Sequence, residues 1–309
     1  MLQVRGNRWW AGYGLCVSVS VSAVLGCKSG RGGSASWEEE AGARVVPTAD
    51  VVLPFGCEVA ARIDLPALRA RMAGPSLDAI AGLAGAEGLR FLSSLGLDPF
   101  CDFYTAEICR RRTGWGQESL FRFVGRIPSD FVAKVGRGPG NEVVNWGGVM
   151  VLRRGRVLMT QPSGRELVFG DSTDILRDAL ERRGMRYAFR PEALAELLFD
   201  RAGFRRLVRE MDSTKLPEIG PVEAMSMSIA RSGRNVRIGL AVGRERQAIE
   251  LGHAVARMIG DLRWTKRISV DPEVQTEGRE AVVTFPIPEG TVEGLFAGMR
   301  GSPAAPAAR

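Results

Sequence analysis

A chain of 309 residues in which 45% are hydrophobic and 25% charged can bury a sizeable core. Its 42 lysines and arginines against 35 acids give a net charge of +7, carried almost wholly by arginines scattered among acids, with lysine only at Lys28, Lys134, Lys215 and Lys266. Nucleic-acid footprints are clustered, so this distribution speaks against a nucleic-acid partner. The chain opens with Arg5 and Arg8, an uncharged, largely apolar run from Ala11 to Leu25, and Gly26 before Cys27, which is the order of a secretory leader. The apolar run of about 15 residues is short of the roughly 20 needed to span a bilayer, so cleavage is expected rather than retention.

Val24-Leu25-Gly26-Cys27 resembles the lipobox of bacterial lipoproteins. Val24 and Gly26 fit that pattern; Leu25 stands where a smaller residue is usual. The resemblance implies a signal peptide over 1–26, acylation of Cys27, and membrane attachment through the lipid. It places the protein in the cell envelope, at the periplasmic face or cell surface. Lys28 stands where an aspartate would hold such a protein in the inner membrane, which favours the outer one. Residues 27–50, rich in glycine and serine, cannot bury enough apolar surface to order themselves and form a flexible tether.

From Cys57 to Leu65, apolar and polar residues alternate as in a half-buried strand. Pro66 then opens a helix, and a second helix is expected from Ser76 to Leu95. Tyr104–Arg110 and Ser119–Arg126 read as strands around Thr113-Gly114-Trp115-Gly116, followed by Ile127-Pro128 and a helix capped by Ser129. Val143–Leu152, Arg156–Gln161 and Glu166–Phe169 predict a three-stranded meander. A helix capped by Ser172 runs from Thr173 to Arg183, with Gly184 as its stop. Gly136-Arg137-Gly138-Pro139-Gly140 is a turn, because Pro139 removes an amide and a strand follows, where a phosphate cradle needs a helix.

The second half begins with helical text from Pro191 to about Met211. Glu223–Arg231 and Asn235–Val242 predict a hairpin over Ser232-Gly233, and Arg244–Ile259 a helix ended by Gly260. Strands near Arg267–Val270 and Ala281–Phe285, a last helix and a disordered tail over 302–309 complete the chain. Strand, Ile127-Pro128 and helix recur as strand, Ile287-Pro288 and helix. The expected fold class is therefore α+β: antiparallel sheets with helices packed on one face, the echo pointing to two related ferredoxin-like halves over 51–185 and 186–301. The order of elements between Val51 and Ala297, with Gly96-Leu97-Asp98-Pro99 before a strand, also resembles a loose group of bacterial surface lipoproteins, a likeness that carries over no functional residue.

Residues that could do chemistry are few. His253 is the only histidine, which rules out a histidine-rich metal centre, so neither metal nor cofactor is expected. Gly170-Asp171-Ser172 is similar to the nucleophile block of Gly-Asp-Ser esterases, in which Ser172 would need His253 as its base. Those enzymes place Asp-x-x-His near the C-terminus, whereas His253 follows Glu250 inside a helix; Ser172 is more simply a cap. The expected role is non-enzymatic binding or scaffolding of an envelope protein, polymer or lipid. A lipid carrier, which needs a deep apolar cavity, and a hydrolase centred on Ser172 are the alternatives.

Export leaves Cys57, Cys101 and Cys109 in an oxidising compartment where pairs form. Extended chain at about 3.3 Å per residue separates Cys101 from Cys109 by more than roughly 20 Å, too far for a bridge. A crossover leaving the strands that follow Cys57 and Cys101 parallel would join Cys57 to Cys101. Antiparallel strands would bring Cys109 to Cys57 instead.

Overall fold

The structure is a computed structural model that describes residues 50–71, 96–97, 101–114, 116–210, 221–261 and 271–287. The leader, Cys27, the tether, the helix expected over Ser76–Leu95, the strand near Arg267–Val270, the last helix and the tail lie outside the described residues. Fourteen strands and five helices are described. The strands are β1 (Asp50–Pro54), β2 (Val59–Asp64), β3 (Phe103–Thr113), β4 (Gly116–Gly125), β5 (Glu142–Trp146), β6 (Val149–Arg154), β7 (Val157–Ser163), β8 (Glu166–Gly170), β9 (Gly184–Ala188), β10 (Ala193–Phe199), β11 (Val222–Ala230), β12 (Asn235–Val242), β13 (Glu273–Glu277) and β14 (Glu280–Pro286). The helices are α1 (Leu65–Arg71), α2 (Phe131–Gly136), α3 (Thr173–Leu180), α4 (Arg201–Glu210) and α5 (Glu245–Asp261).

Twelve strands form one sheet in the order β13-β14-β12-β11-β10-β2-β3-β4-β8-β7-β6-β5, and every neighbouring pair in it is antiparallel. The fold is α+β, as expected. Its register contains a two-fold relation. β2 and β10 meet at the centre with Ala61 directly opposite Leu197, and moving outward from that pair, β2-β3-β4-β8-β7 repeats β10-β11-β12-β14-β13. The helix starts agree. Asp64 Oδ1 accepts the Ala67 N–H at 2.9 Å, and Asp200 Oδ1 accepts the Gly203 N–H at 2.7 Å, so at the junction of each central strand with the following helix an aspartate satisfies an orphan amide of that helix. The hairpin β5–β6 extends the first half only. A ferredoxin-like half would contain parallel neighbours; here each connection returns its strand antiparallel.

The Ile-Pro echo does not fall on symmetry mates. Ile127 follows β4, whose counterpart is β12, whereas Ile287 follows β14, the counterpart of β8. The two-fold relation is carried by register and by the two aspartates, and the repeated dipeptide marks two strand ends that are not mates.

Four helices share one face. Leu65 and Leu68 of α1, Phe131 and Val132 of α2, Phe204 of α4, and Ala248, Leu251 and Val255 of α5 pack with Ile63, Ile108, Phe123, Phe169, Leu240 and Val283 in the larger core. Phe123 lies 5.0 Å from Phe103 and 5.8 Å, edge-on, from Phe169, contacts worth about 0.5–1.5 kcal/mol each beyond area. The opposite face is covered as well. Ile175 and Leu176 of α3 and the two-stranded ribbon of β1 and β9 cover Ala60, Cys109, Leu120 and Val168 there. Gly184 belongs to this ribbon, and a Cβ on it would lie 1.8 Å from the Leu53 carbonyl oxygen. It is needed for close approach of two backbones. The left-handed residue after α3 is Arg182 (φ 51°), so Gly184 does not act as the helix stop. At α2 the cap position is Asp130, without a side-chain cap bond, rather than Ser129.

Two stretches contradict the sequence reading. Residues 193–199, expected as helix, form β10, paired on both sides by β2 and β11. Val143–Leu152, expected as one strand, is the hairpin of β5 and β6, turned by Gly147 (φ 58°) and Gly148 (φ 90°), a conformation side chains resist.

Cys57 is bonded to Cys109, with Cα atoms 5.4 Å apart, and not to Cys101. The reason is strand direction. The chain between β2 and β3 brings β3 back antiparallel, placing Ala60 opposite Cys109, and the Glu58 N–H reaches the Arg110 carbonyl at 2.8 Å, so the far end of β3 meets Cys57.

Candidate binding site at the two-fold axis

On the face carrying the ribbon, directly opposed residues form a polar row across six strands. Arg122 on β4 faces Glu107 on β3, Glu107 faces Arg62 on β2, Arg62 faces Glu196 on β10, Glu196 faces Ser228 on β11, and Ser228 faces Arg237 on β12. Neighbouring strands lie about 4.8 Å apart, and opposed opposite charges attract at that spacing. Glu107 and Glu196 are each 3% exposed and Arg62 is 8% exposed.

Not all members are paired alike. Arg122 Nη1 donates to Glu107 at 2.9 Å, and its other amino group binds Glu166. Glu196 Oε2 accepts the Arg190 backbone N–H at 2.6 Å, and the Arg190 Nε lies 3.7 Å from the other oxygen. Burial pushes the Glu107 carboxyl above its ordinary range despite Arg122 and Arg62, and burial does the same to Glu196 despite Arg190. Arg62 Nη1 is buried and makes no hydrogen bond, as is true of the hydroxyl of Thr105, which sits directly opposite Asp64. A small depression opens at this point, lined by Arg62, Asp64, Phe189, Arg190, Glu196 and Arg231, with room for about one water-sized group. Arg231 binds Asp64 and is itself held through its carbonyl, which accepts the Arg71 Nε–H at 2.8 Å.

The sequence reading placed Arg62 on the polar side of its strand without assigning it a role, and passed over Glu196 as helical. The residues it weighed for chemistry are not brought together. Ser172 is the cap of α3: its Oγ accepts the Asp174 N–H at 3.2 Å and donates to Glu118 Oε1 at 2.7 Å. His253 is exposed on α5. α3 packs in the core on one side of the sheet and α5 in the core on the other, so the sheet separates Ser172 from His253. The axial depression is polar and small, unlike the deep apolar chamber a lipid carrier requires.

No protein-family model and no curated protein matches this chain. Among solved structures, crystal forms I and III of TP0453 match it with TM-scores of 0.50 and 0.49. Both are 11% identical, and each match covers 80% of this chain and 96% of TP0453. At that identity the likeness to form I supports the α+β fold and nothing further.

Proposed function

We propose that this chain is a lipid-anchored protein of the cell envelope, attached through Cys27, that acts by non-enzymatic binding or scaffolding, at the outer membrane by the Lys28 criterion. The observation that carries the reading is the Cys57–Cys109 bridge in a chain that opens on Arg5, Arg8, an apolar run and Gly26-Cys27. Disulfides persist in oxidising compartments, so leader and bridge agree on export. The separation of Ser172 from His253 favours binding over hydrolysis. Growth with labelled palmitate tests the anchor: the wild-type chain should take up label and partition with membranes, and Cys27→Ala should lose both. A disulfide engaging Cys27 would refute acylation, because a thioether sulfur cannot form one. Labelling by a serine-directed fluorophosphonate that disappears in Ser172→Ala would overturn the non-enzymatic reading.

A further inference from the structure

The two-fold relation shows what the axial pocket could have been. Because Ala61 and Leu197 are mates across the axis, the mate of Arg62 is Leu198 and the mate of Glu196 is Ala60. Leu198 and Ala60 are also directly opposed, and both pack in the apolar core beneath the ribbon. The same junction thus carries an apolar pair at one end and a charged pair at the other. Replacing a buried ion pair by apolar residues is often neutral or stabilising, so stability does not explain the charged end.

Nor is Arg62 there to complete a bonded network. Glu107 spends its hydrogen bond on Arg122, Glu196 on the Arg190 amide, and Asp64 on Arg231 and the first turn of α1. Arg62 keeps a buried Nη1 without a hydrogen-bond partner, and with two more arginines it lines the depression. Three guanidinium groups there meet two carboxylates that are already engaged. A buried N–H of a charged group without an acceptor is costly to the fold, and a partner supplied from outside removes that cost.

We propose that the axial pocket is a binding site for one oxyanion group, a phosphate or carboxylate, with one oxygen hydrogen-bonded to Arg62 and the remainder held at the opening by Arg190 and Arg231. The space admits a single oxygen, and the rim arginines are partly exposed, with 26% and 47% of their side chains accessible. Planar guanidinium forks suit oxyanions better than ammonium groups do. The free anion and a lipid headgroup offer the same chemistry. The site does not depend on acylation of Cys27.

The test is calorimetric titration of the detergent-extracted full chain with inorganic phosphate, acetate and dihexanoyl phosphatidic acid. Binding of at least one is expected, weakened about tenfold or more in Arg62→Gln by loss of a charge-assisted bond, weakened in Arg190→Gln, and unchanged in Arg209→Gln on α4. Binding of phosphate or acetate identifies a free anion as ligand; binding of phosphatidic acid alone identifies a headgroup. Should Arg62→Gln lose its cooperative melting transition, Arg190→Gln at the rim decides. Absence of binding for all three ligands would overturn the proposal and leave the pocket to a water. Equal affinity in the wild type and both pocket variants would overturn it too.

Discussion

Replacing Cys57 and Cys109 together by alanine perturbs the structure at a point where the cost can be worked out. The bridge closes a loop of 52 residues. Chain entropy for a loop of that size gives about 4 kcal/mol of stabilisation, acting through the unfolded state. Both cysteines sit in the core beneath the ribbon, 3% and 0% exposed, so two lost sulfur atoms add a smaller packing term in the same direction. For a domain whose total stability is on the order of 5–15 kcal/mol, this is a large share. Urea unfolding of the double variant, followed by tryptophan fluorescence, should show a midpoint far below that of the wild type, equivalent to about 3–5 kcal/mol. A loss below about 1 kcal/mol would refute the assignment, since the bridge would then close no loop that matters.

Ser172→Ala should cost about 1 kcal/mol in thermal unfolding, the usual value of an N-cap, and leave any binding activity intact; a total loss of function in a folded protein would contradict its role as a cap. His253→Gln, on the exposed side of α5, should change stability by less than about 0.5 kcal/mol; abolished function at unchanged stability would count against a merely structural histidine. Glu107 and Glu196 hold their protons above the ordinary value of 4.5. The folded state therefore binds protons that the unfolded chain releases, and their contribution is full below about pH 4.5 and is lost as pH rises through the raised folded values. Glu107→Gln and Glu196→Gln should each flatten the fall in denaturation midpoint between pH 4.5 and 7; an unchanged slope in both would refute the burial argument.

Much of the fold was legible where periodicity was strong. Cys57–Leu65 alternates because β2 is a strand, and Asn235–Val242 coincides with β12. β10 was hidden because Ala193-Leu194-Ala195-Glu196-Leu197-Leu198 is written in good helix formers; pairing with β2 and β11 at the sheet centre overrides that preference. The β5–β6 turn had a signal in Gly147-Gly148. β1 and β9 are five residues each and pair across more than a hundred residues, which local text cannot show. The axial site was illegible for a related reason. Arg62 and Glu196 are ordinary letters in their own segments, and only the register of β2 against β10 makes them neighbours. Strand direction decided the disulfide in the same way, because parallel and antiparallel strands offer Cys57 different partners.

The most direct single measurement is non-reducing peptide mapping by mass spectrometry of the protein extracted from membranes. The account predicts an N-terminal peptide that begins at Cys27 and carries a thioether-linked lipid, together with a bridged peptide pair joining Cys57 to Cys109. An unmodified chain that retains residues 1–26, or a Cys57–Cys101 bridge in place of Cys57–Cys109, would contradict it.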